Sequence, residues 1–161
     1  MSRAVLSIGS NLGEREMYLK STVDALGSAL GKVSPVYETA PWGPVPQPRY
    51  LNAVVVVADE TDAAGWLRRA HEMESAAGRE RAVRWGPRTL DIDVITVDDM
   101  RSDDPALTLP HPRAHERAFV LVPWLDVEPE AVLADHGRVA DLIRGLDTAG
   151  MRRRDDVRLW S

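Results

Sequence analysis

Residues 90–95 read Leu-Asp-Ile-Asp-Val-Ile, in which apolar and acidic side chains alternate as far as Val94. This alternation predicts a strand over residues 90–97, because successive side chains of a strand point to opposite faces of its sheet. Asp91 and Asp93 then share one face, with Cα atoms roughly 6.5–7 Å apart. Aspartate is disfavoured in strands, and like charges on one face repel each other. The pair therefore requires a metal cation, neighbouring arginines or open water, and the strand alone does not decide between them.

Three more strands precede this one along the chain. Residues 5–8, 33–37 and 51–58 are short apolar runs typical of strands. Residues 40–48, between the second and third, contain four prolines, which exclude a helix there. Beyond the fourth strand, residues 107–109 are interpreted as a short extended segment. The basic tail at residues 152–154 is interpreted as a solvated end.

Two helices are predicted between these strands. Apolar residues at positions 19, 23, 26 and 30 recur at helical spacing and predict a helix that ends near Gly31. Asn11, followed three residues later by Glu14, predicts a capping box with Asn11 as the N-cap. Asp62 is the predicted N-cap of the second helix, whose apolar positions 63, 66, 67, 70 and 73 keep the helical period. Shorter helices are expected within residues 113–124 and 139–146.

The order of these elements is strand, helix, strand, strand, helix, strand, followed by an extension. With right-handed crossovers this order predicts an α+β fold, a ferredoxin-like βαββαβ plait with a C-terminal extension and with helices packed on a mostly antiparallel sheet. A length of 161 residues fits a single domain over residues 1–161. Because this plait is used by binding proteins and enzymes alike, the fold does not decide the function.

The composition excludes several classes of protein. Apolar residues make up 44% and charged residues 28%, as in an ordinary globular domain. The absence of cysteine excludes disulfides, thiolate metal sites and thiol nucleophiles. A net charge of -5 disfavours a general nucleic-acid surface. No apolar run reaches the 18 or so residues of a membrane span, and no signal peptide is expected. We therefore expect a cytoplasmic monomer that binds neither nucleic acid nor membrane.

Positive charge is concentrated just before the acidic strand. Arg79, Arg81, Arg84 and Arg88 stand against Glu80 alone, which gives residues 79–88 a charge of +3 and leaves -8 for the rest of the chain. Such a cluster is either a solvated arginine loop or the site of a localised anion. Guanidinium groups match phosphate oxygens and carboxylates match Mg²⁺, so a basic loop beside an acidic pair is typical of a site for a metal-bound polyphosphate. The chain contains no Walker-type phosphate loop.

Three further positions have both a structural and a functional interpretation. Glu74 follows Leu67 by seven residues, so it lies about 20° from Leu67 on the apolar stripe of its helix and needs a partner, an arginine or a ligand group. Tyr50 and Asn52 share a strand face and either hold a flat heterocycle or belong to the edge of the core. His111, between two prolines, sits in a rigid loop that can present its ring.

Taken together, these segments resemble the 6-hydroxymethyl-7,8-dihydropterin pyrophosphokinase family. The resemblance spans about residues 4–146 and is carried by Ile-Gly-Ser-Asn-Leu-Gly (8–13), Tyr-Leu-Asn-Ala (50–53), Arg-Trp-Gly-Pro-Arg-Thr-Leu-Asp-Ile-Asp (84–93), Pro-His-Pro (110–112) and Arg-Ala-Phe (117–119). It implies diphosphate transfer from ATP to the hydroxymethyl group of the pterin, with release of AMP and with two Mg²⁺ ions as cofactors. ATP and 6-hydroxymethyl-7,8-dihydropterin are the implied partners.

The resemblance also implies roles for individual residues. Asp91 and Asp93 match the metal ligands, and together with the phosphate clamps Arg79, Arg81 and Arg88 they form the implied catalytic set. The implied pterin pocket consists of Thr39, Ala40, Trp42, Tyr50, Asn52, Trp85 and Phe119. The implied ATP site consists of His71, Glu74, Arg81, Arg84, Arg88, Val94, Thr108, His111 and Arg117.

Three features depart from the family pattern. The loop from Arg79 to Trp85 looks one residue short, which leaves open whether Arg81 or Arg84 is the key arginine of the loop. Pro112 stands where an aromatic residue is frequent, and Ala106 where a basic residue occurs. Two other functions remain open: a plait that binds RNA or a small molecule without catalysis, and an enzyme that catalyses nucleotidyl transfer or phosphate hydrolysis with the same metals.

Overall fold

The strands and helices follow one another in the order that the sequence predicts as far as β5, and further strands and helices follow in the C-terminal extension. The computed structural model describes residues 1–40, 46–78 and 89–160. The elements are β1 (Ser2–Ser10), α1 (Arg15–Leu26), β2 (Leu30–Val33), β3 (Tyr37–Thr39), β4 (Tyr50–Asp59), α2 (Ala63–Ala76), β5 (Asp91–Val97), β6 (Ser102–Asp104), β7 (Leu107–Leu109), α3 (Ala118–Val127), β8 (Val132–Leu133), β9 (Gly137–Arg138), α4 (Val139–Ile143) and β10 (Arg152–Arg153).

The main sheet has the order β10-β3-β4-β1-β5, and β2 pairs with β4 beside β3. Every pairing in it is antiparallel. With β2 and β3 counted as one interrupted strand, the order and directions are those of a ferredoxin-like plait. The predicted fold class is therefore confirmed.

The sheet is covered by helices on both faces. One face of β1, β4 and β5 carries residues such as Leu6, Val55 and Ile92, and it packs against α1 and α2 in a core that includes Leu19 and Trp66. The opposite face packs its central residues against α3 and α4. That second core contains Val5, Val54, Val56, Ile95, Leu121 and Trp124. The C-terminal extension thus supplies a third layer, and Gly9 and Asp91, at one end of this face, are not part of that second core.

The predicted N-cap of the first helix is wrong. Helix α1 is preceded by Glu14, and no side chain caps it. Asn11 is buried, and its amide nitrogen donates to Oε1 of Gln47 at 2.7 Å and to the carbonyl of Pro48 at 3.0 Å. Partners 36 and 37 residues away have replaced the local ones, so Asn11 holds the end of the proline-rich connection.

The first helix also ends earlier than its apolar period predicts. Its last residue is Leu26, and Gly27 follows with a φ of 54°, a left-handed conformation that favours glycine. Leu30, assigned to the helix by its spacing, begins β2 instead. The predicted strand 33–37 is likewise divided, with β2 ending at Val33 and β3 beginning at Tyr37, because Pro35 between them has no N–H to give to a ladder.

The basic tail is not a solvated end. Arg152 and Arg153 form β10, which pairs with Glu38 and Tyr37 of β3. The N–H of Arg154 donates to the carbonyl of Val36 at 2.8 Å, and its Nη1 donates to Oε2 of Glu38 at 2.9 Å. The tail therefore closes the edge of the sheet that carries β3.

Other local predictions hold. Oδ1 of Asp62 accepts a hydrogen bond from the N–H of Gly65 at 2.7 Å, as expected of the N-cap of α2. The helix expected within residues 113–124 is present as a short 3-10 turn (Ala114–Glu116) followed by α3. In the three described ranges, every helix is too short or too polar to cross a lipid bilayer.

Candidate active site

The candidate site lies where β4, β1 and β5 run side by side at one end of the sheet. Asn52 of β4 is directly opposite Gly9 of β1, and Gly9 is directly opposite Asp91 of β5. In the next row on the same face, Ser7 separates Val54 from Asp93. Since neighbouring strands are about 4.8 Å apart, the backbones of Asn52 and Asp91 are separated by roughly 10 Å. An amide and an acidic pair thus face the same space, with a glycine between them.

The amide side of the site is a small, ordered polar pocket. Nδ2 of Asn52 donates to Oγ1 of Thr39 at 2.6 Å, and both side chains are buried. Tyr50 lies opposite Thr39 in the β3–β4 pair and is half-buried. Because the Thr39 hydroxyl accepts from Asn52, its own proton is free to point elsewhere. The pocket therefore combines fixed donors and acceptors with an aromatic ring.

Of the remaining residues assigned to this pocket, two lie in the described ranges. Ala40 is exposed and directly follows β3. Phe119, in the first turn of α3, is half-buried, and the guanidinium carbon of Arg117 lies 5.5 Å from the centroid of its ring. Trp42 and Trp85 lie outside the described residues.

The acidic side of the site opens into a cleft of about 290 Å³. Both aspartates line it, together with five of the residues assigned to ATP: His71, Glu74, Val94, Thr108 and His111. Pro112 and Ala106, the two departures from the family pattern, are part of the same wall. The cleft lies between α2, β5 and the segment around β7. The structure thus brings these two aspartates and five further residues together around one cleft.

Asp93 has two basic side chains within reach. Nη1 of Arg117 lies 3.6 Å from Oδ2 of Asp93, and Nε2 of His111 lies 3.9 Å from Oδ1. The side chain of Arg117 is only 12% exposed, whereas that of Asp93 is 30% exposed. Arg117 therefore offsets part of the acidic charge from inside the protein, and the carboxylate remains open toward the cleft.

His111 is a neutral hydrogen-bond donor at pH 7. Burial, and secondarily the charges of Arg117 and Arg113, lower its pKa to about 4. Its Nδ1 accepts a hydrogen bond from the N–H of Arg113 at 3.2 Å, which leaves the proton of the neutral ring on Nε2. The 3.9 Å approach to Asp93 is therefore not an ion pair, and the Nε2–H is available to a ligand oxygen in the cleft.

Glu74 is the most buried carboxylate of the site, with 2% of its surface exposed. Its Oε2 accepts a hydrogen bond from the backbone N–H of Ile92 at 2.9 Å. Among the described strands β5 is the outermost on this side of the sheet, so its outward N–H groups have no partner in another described strand. Glu74 supplies the acceptor for one of them, a backbone partner that the helical pattern did not predict.

The other half of the predicted phosphate machinery is not described. The predicted phosphate-binding arginines lie outside the described residues: Arg79, Arg81, Arg84 and Arg88. The structure therefore does not decide whether Arg81 or Arg84 is the key arginine of the loop. The segment begins just after residue 78, close to the end of α2, and ends just before residue 89, close to the start of β5.

The floor and part of the walls of the site were not predicted from the sequence. Ser7 and Gly9 of β1 lie between the amide and the acidic pair, and Leu67 and Leu107 line the cleft. The glycine within Ile-Gly-Ser-Asn (8–11) was a usable signal, because a glycine inside a strand marks close approach of another group.

Solved structures share the fold of this chain. A Plasmodium falciparum HPPK-DHPS triple mutant crystallised with SDX-DHP superposes with a TM-score of 0.68 at 16% identity, covering 89% of this chain and 44% of that one. The wild-type P. falciparum HPPK-DHPS with SDX-DHP gives a TM-score of 0.64 at 17% identity, over 89% and 43% of the two chains. This chain thus spans less than half of those longer proteins, and at such identities the likeness shows the fold alone.

Sequence relatives identify the family. Residues 5–129 match the model of the 7,8-dihydro-6-hydroxymethylpterin-pyrophosphokinase (HPPK) family. The 2-amino-4-hydroxy-6-hydroxymethyldihydropteridine pyrophosphokinase of Mycobacterium tuberculosis is 48% identical, over 99% of this chain and 90% of its own length. The enzymes of the same name from Methylorubrum extorquens and Bacillus subtilis are each 38% identical, over 95% and 82% of this chain and 99% and 84% of their own lengths. The chain belongs to the HPPK family and is an ATP-dependent diphosphotransferase.

Proposed function

We propose that this chain transfers the diphosphate group of ATP to the hydroxymethyl group of 6-hydroxymethyl-7,8-dihydropterin and releases AMP. The observation that carries the proposal is the row Asn52, Gly9, Asp91 across three strands, which sets a polar, aromatic pocket about 10 Å from an acidic pair. A flat heterocycle bound in the polar, aromatic pocket would direct its substituent toward the acidic pair. Membership of a pyrophosphokinase family of folate biosynthesis supports the same reaction.

The pterin would occupy the amide side of the site. Asn52 and Thr39 supply an ordered pair of polar groups for the edge of the ring system. Tyr50 and Phe119 supply aromatic surface for its faces, and Ala40 lies at the rim. Trp42 and Trp85, which lie outside the described residues, are proposed to belong to the same pocket. Such a pocket selects its ligand because an unmatched buried polar group costs about 1–3 kcal/mol.

ATP would occupy the cleft beside the acidic pair. His111 offers its Nε2–H to a phosphate oxygen, and Arg117 offers a buried positive charge 3.6 Å from Asp93. Glu74, His71, Val94 and Thr108 form the wall on which the nucleoside part of ATP would lie. Arg79, Arg81, Arg84 and Arg88 are proposed to clamp the phosphates, because guanidinium groups match phosphate oxygens.

Asp91 and Asp93 are proposed to hold two Mg²⁺ ions together with ATP. Their donor set fits: both are carboxylates on one face of β5 that line the cleft, and Asp93 is 30% exposed. Among the described residues no group of three or more histidine, aspartate or glutamate side chains forms a closed metal cage. Two carboxylates without such a cage suit Mg²⁺, which takes one or two carboxylates and fills its other positions with phosphates and water. When bound, the ions would neutralise the phosphate oxygens and acidify the attacking hydroxyl.

The residues of the chain then act by positioning. In-line transfer requires the hydroxymethyl oxygen and the β-phosphorus of ATP to be held within reach of each other, and this contributes more than covalent chemistry by the protein. Asn52 and Thr39 fix the acceptor, and Asp93 with Arg117 and His111 fixes the phosphate end. Within the described part of the site, the lowered pKa of His111 keeps its ring neutral at pH 7, so it is proposed to act as a hydrogen-bond donor toward the phosphate end.

Analysis of the products tests this function. The purified protein is incubated with ATP, Mg²⁺ and 6-hydroxymethyl-7,8-dihydropterin, and the products are resolved by ³¹P NMR and chromatography. The expected result is AMP in equal amount to a diphosphorylated pterin, with neither formed when the pterin is omitted. Formation of ADP indicates transfer of one phosphoryl group, and free diphosphate indicates nucleotidyl transfer or hydrolysis. Either result would contradict the proposal.

We also propose that residues 1–161 act as one domain, as a monomer in the cytoplasm, without nucleic acid or membrane as partners. The formal net charge of -5 supports the absence of a polyanion partner. Light scattering coupled to size-exclusion chromatography should give the mass of one chain, 17.8 kDa. A mass of two chains, or retention on single-stranded RNA in excess EDTA, would overturn this part.

A further inference from the structure

We propose that Gly9 is a positioning residue, whose missing side chain makes room for the amide of Asn52 and so sets that amide against the pterin. The inference rests on the proposed function, since it concerns how the pterin is held. Gly9 itself makes no side-chain contact. Its contribution is the space it leaves in the floor of the site.

The space above Gly9 is already taken. A Cβ on Gly9 would lie 2.6 Å from Oδ1 of Asn52 and 3.3 Å from Cδ1 of Tyr50. The first distance is well inside the 3.5–4.0 Å at which non-bonded atoms attract each other, so the amide would have to move. Both atoms belong to residues of the proposed pterin pocket. A methyl group at this one position would thus disturb two parts of the pocket together.

The backbone does not explain the glycine. Gly9 is inside β1, paired with Asn52 on one side and Asp91 on the other. Among the described glycines, positive φ angles occur at Gly13, Gly27, Gly78 and Gly137, and not at Gly9. A glycine within a strand weakens the strand, and it often marks a place where another group approaches closely. Here the approaching group is the side chain of Asn52.

Asn52 has no simple way to retreat. Its Nδ2 donates to Oγ1 of Thr39 at 2.6 Å, and its side chain is 4% exposed. Turning the amide away from a methyl group on Gly9 would lengthen or break this hydrogen bond. The orientation of the amide is therefore fixed from two sides, by Thr39 through a hydrogen bond and by Gly9 through the room it leaves.

The arrangement makes a specific kinetic prediction for Gly9→Ala. The KM for 6-hydroxymethyl-7,8-dihydropterin should rise by about tenfold, the scale of one well-placed hydrogen bond. The KM for ATP should stay close to the wild-type value, because neither Asn52 nor Tyr50 is among the described residues that line the nucleotide cleft. Gly145→Ala is the matched control. Gly145 is exposed after α4, and a Cβ there would meet its nearest atom, the carbonyl of Leu142, at an ordinary 3.7 Å.

A double-mutant cycle identifies the cause. In the Asn52→Ala background, the side chain that a methyl group would meet at 2.6 Å is gone. Gly9→Ala should then have a clearly smaller effect on the pterin Kd, measured by calorimetry, and on the urea midpoint of unfolding than it has in the wild type, because only the 3.3 Å approach to Tyr50 remains. Additive effects, or an unchanged pterin KM in Gly9→Ala, would overturn the inference. If Gly9→Ala fails to fold, recovery of folding in the double variant supports it, and failure of both variants overturns it.

The test of Gly9 and the test of the proposed reaction can fail independently. A wild-type protein that forms no AMP contradicts the proposed reaction, whatever Gly9 does. A wild-type protein that forms AMP, together with a Gly9→Ala variant of normal pterin KM, contradicts only the role of Gly9.

Discussion

The carboxylate of Glu74 accepts a hydrogen bond from the backbone N–H of Ile92, 2.9 Å away. Ile92 is the residue between the two aspartates of β5, and Glu74 belongs to α2. The contact therefore attaches the helix layer to the outer strand of the sheet at the position where the acidic pair is presented. A carboxylate that looked out of place on an apolar helix face has a structural role in addition to the proposed contact with ATP.

This contact predicts the effect of truncating Glu74. Glu74→Ala should lower the free energy of unfolding by about 1–3 kcal/mol, because it leaves the buried N–H of Ile92 without its acceptor. Glu74→Gln retains an acceptor oxygen and should lose less. Urea unfolding followed by tryptophan fluorescence measures both. Wild-type stability in Glu74→Ala would show that the hydrogen bond contributes nothing to the fold.

Removal of one carboxylate from the acidic pair separates catalysis from binding of the pterin. Asp93→Ala should lower kcat by at least about 100-fold, the scale of one lost electrostatic contact to the transition state. The pterin Kd should stay near the wild-type value, since Asn52 and Thr39 are untouched. Asp99→Ala is the control, because Asp99 is exposed beyond the opposite end of β5. A near-normal rate in Asp93→Ala would refute the metal assignment.

A change on the amide side of the site should affect binding of the pterin and not binding of ATP. Asn52→Ala should weaken pterin binding by about 1–3 kcal/mol, the cost of a buried hydrogen bond left unmatched. Binding of a non-hydrolysable ATP analogue, measured in the same titration calorimeter, should not change. A variant that lost only affinity for the ATP analogue would show that the two halves of the site have been exchanged.

Tyr37 gives the fold a dependence on alkaline pH. Burial, followed by the hydrogen bond to Asp126 and its negative charge, raises the pKa of Tyr37 to about 12 from 10.0. Between these values the unfolded chain loses the phenol proton while the folded chain keeps it. Stability from this group is therefore complete below pH 10 and is lost as the pH rises to about 12.

The expected loss over this range is about 1–2 kcal/mol after allowance for solvent screening. Urea unfolding at intervals between pH 8 and 12 should show it in the wild type and not in Tyr37→Phe. Tyr18→Phe is the matched control, because Tyr18 lies on α1, away from Asp126. Parallel pH profiles for the wild type and Tyr37→Phe would contradict the prediction.

The elements of the fold that depend on local pattern were predictable. The alternation at residues 90–94, the N-cap Asp62 and the strand containing Tyr50 and Asn52 all stand where the sequence places them. The failures at Asn11 and at residues 152–154 have a common cause, which is a contact between distant parts of the chain. Asn11 has the local sequence of an N-cap, but its amide donates to Gln47 and Pro48 instead.

Other differences between the sequence-based predictions and the structure concern the end of α1, the candidate site and the second face of the sheet. Leu30 fits a helical period as well as it fits a strand, and only Gly27 signals where the helix ends. For the candidate site, spacing placed Asp91 and Asp93 on one face, but it gave no sign that Glu74 would bond to Ile92. The packing of α3 and α4 on the second face was also invisible, because short apolar segments do not reveal which surface they cover.

The pairing of β10 with β3 has a practical consequence. Val157 and Leu159, just beyond β10, are buried in the core that α1 shares with the sheet. A chain that ends before residue 152 would leave backbone N–H and C=O groups of β3 without strand partners at the edge of the sheet. It would also leave a cavity in the core that α1 shares with the sheet. Such unpaired edges recruit other strands, so the shortened protein should precipitate through edge-to-edge association. An affinity tag at the carboxyl end therefore has to leave residues 152–159 intact.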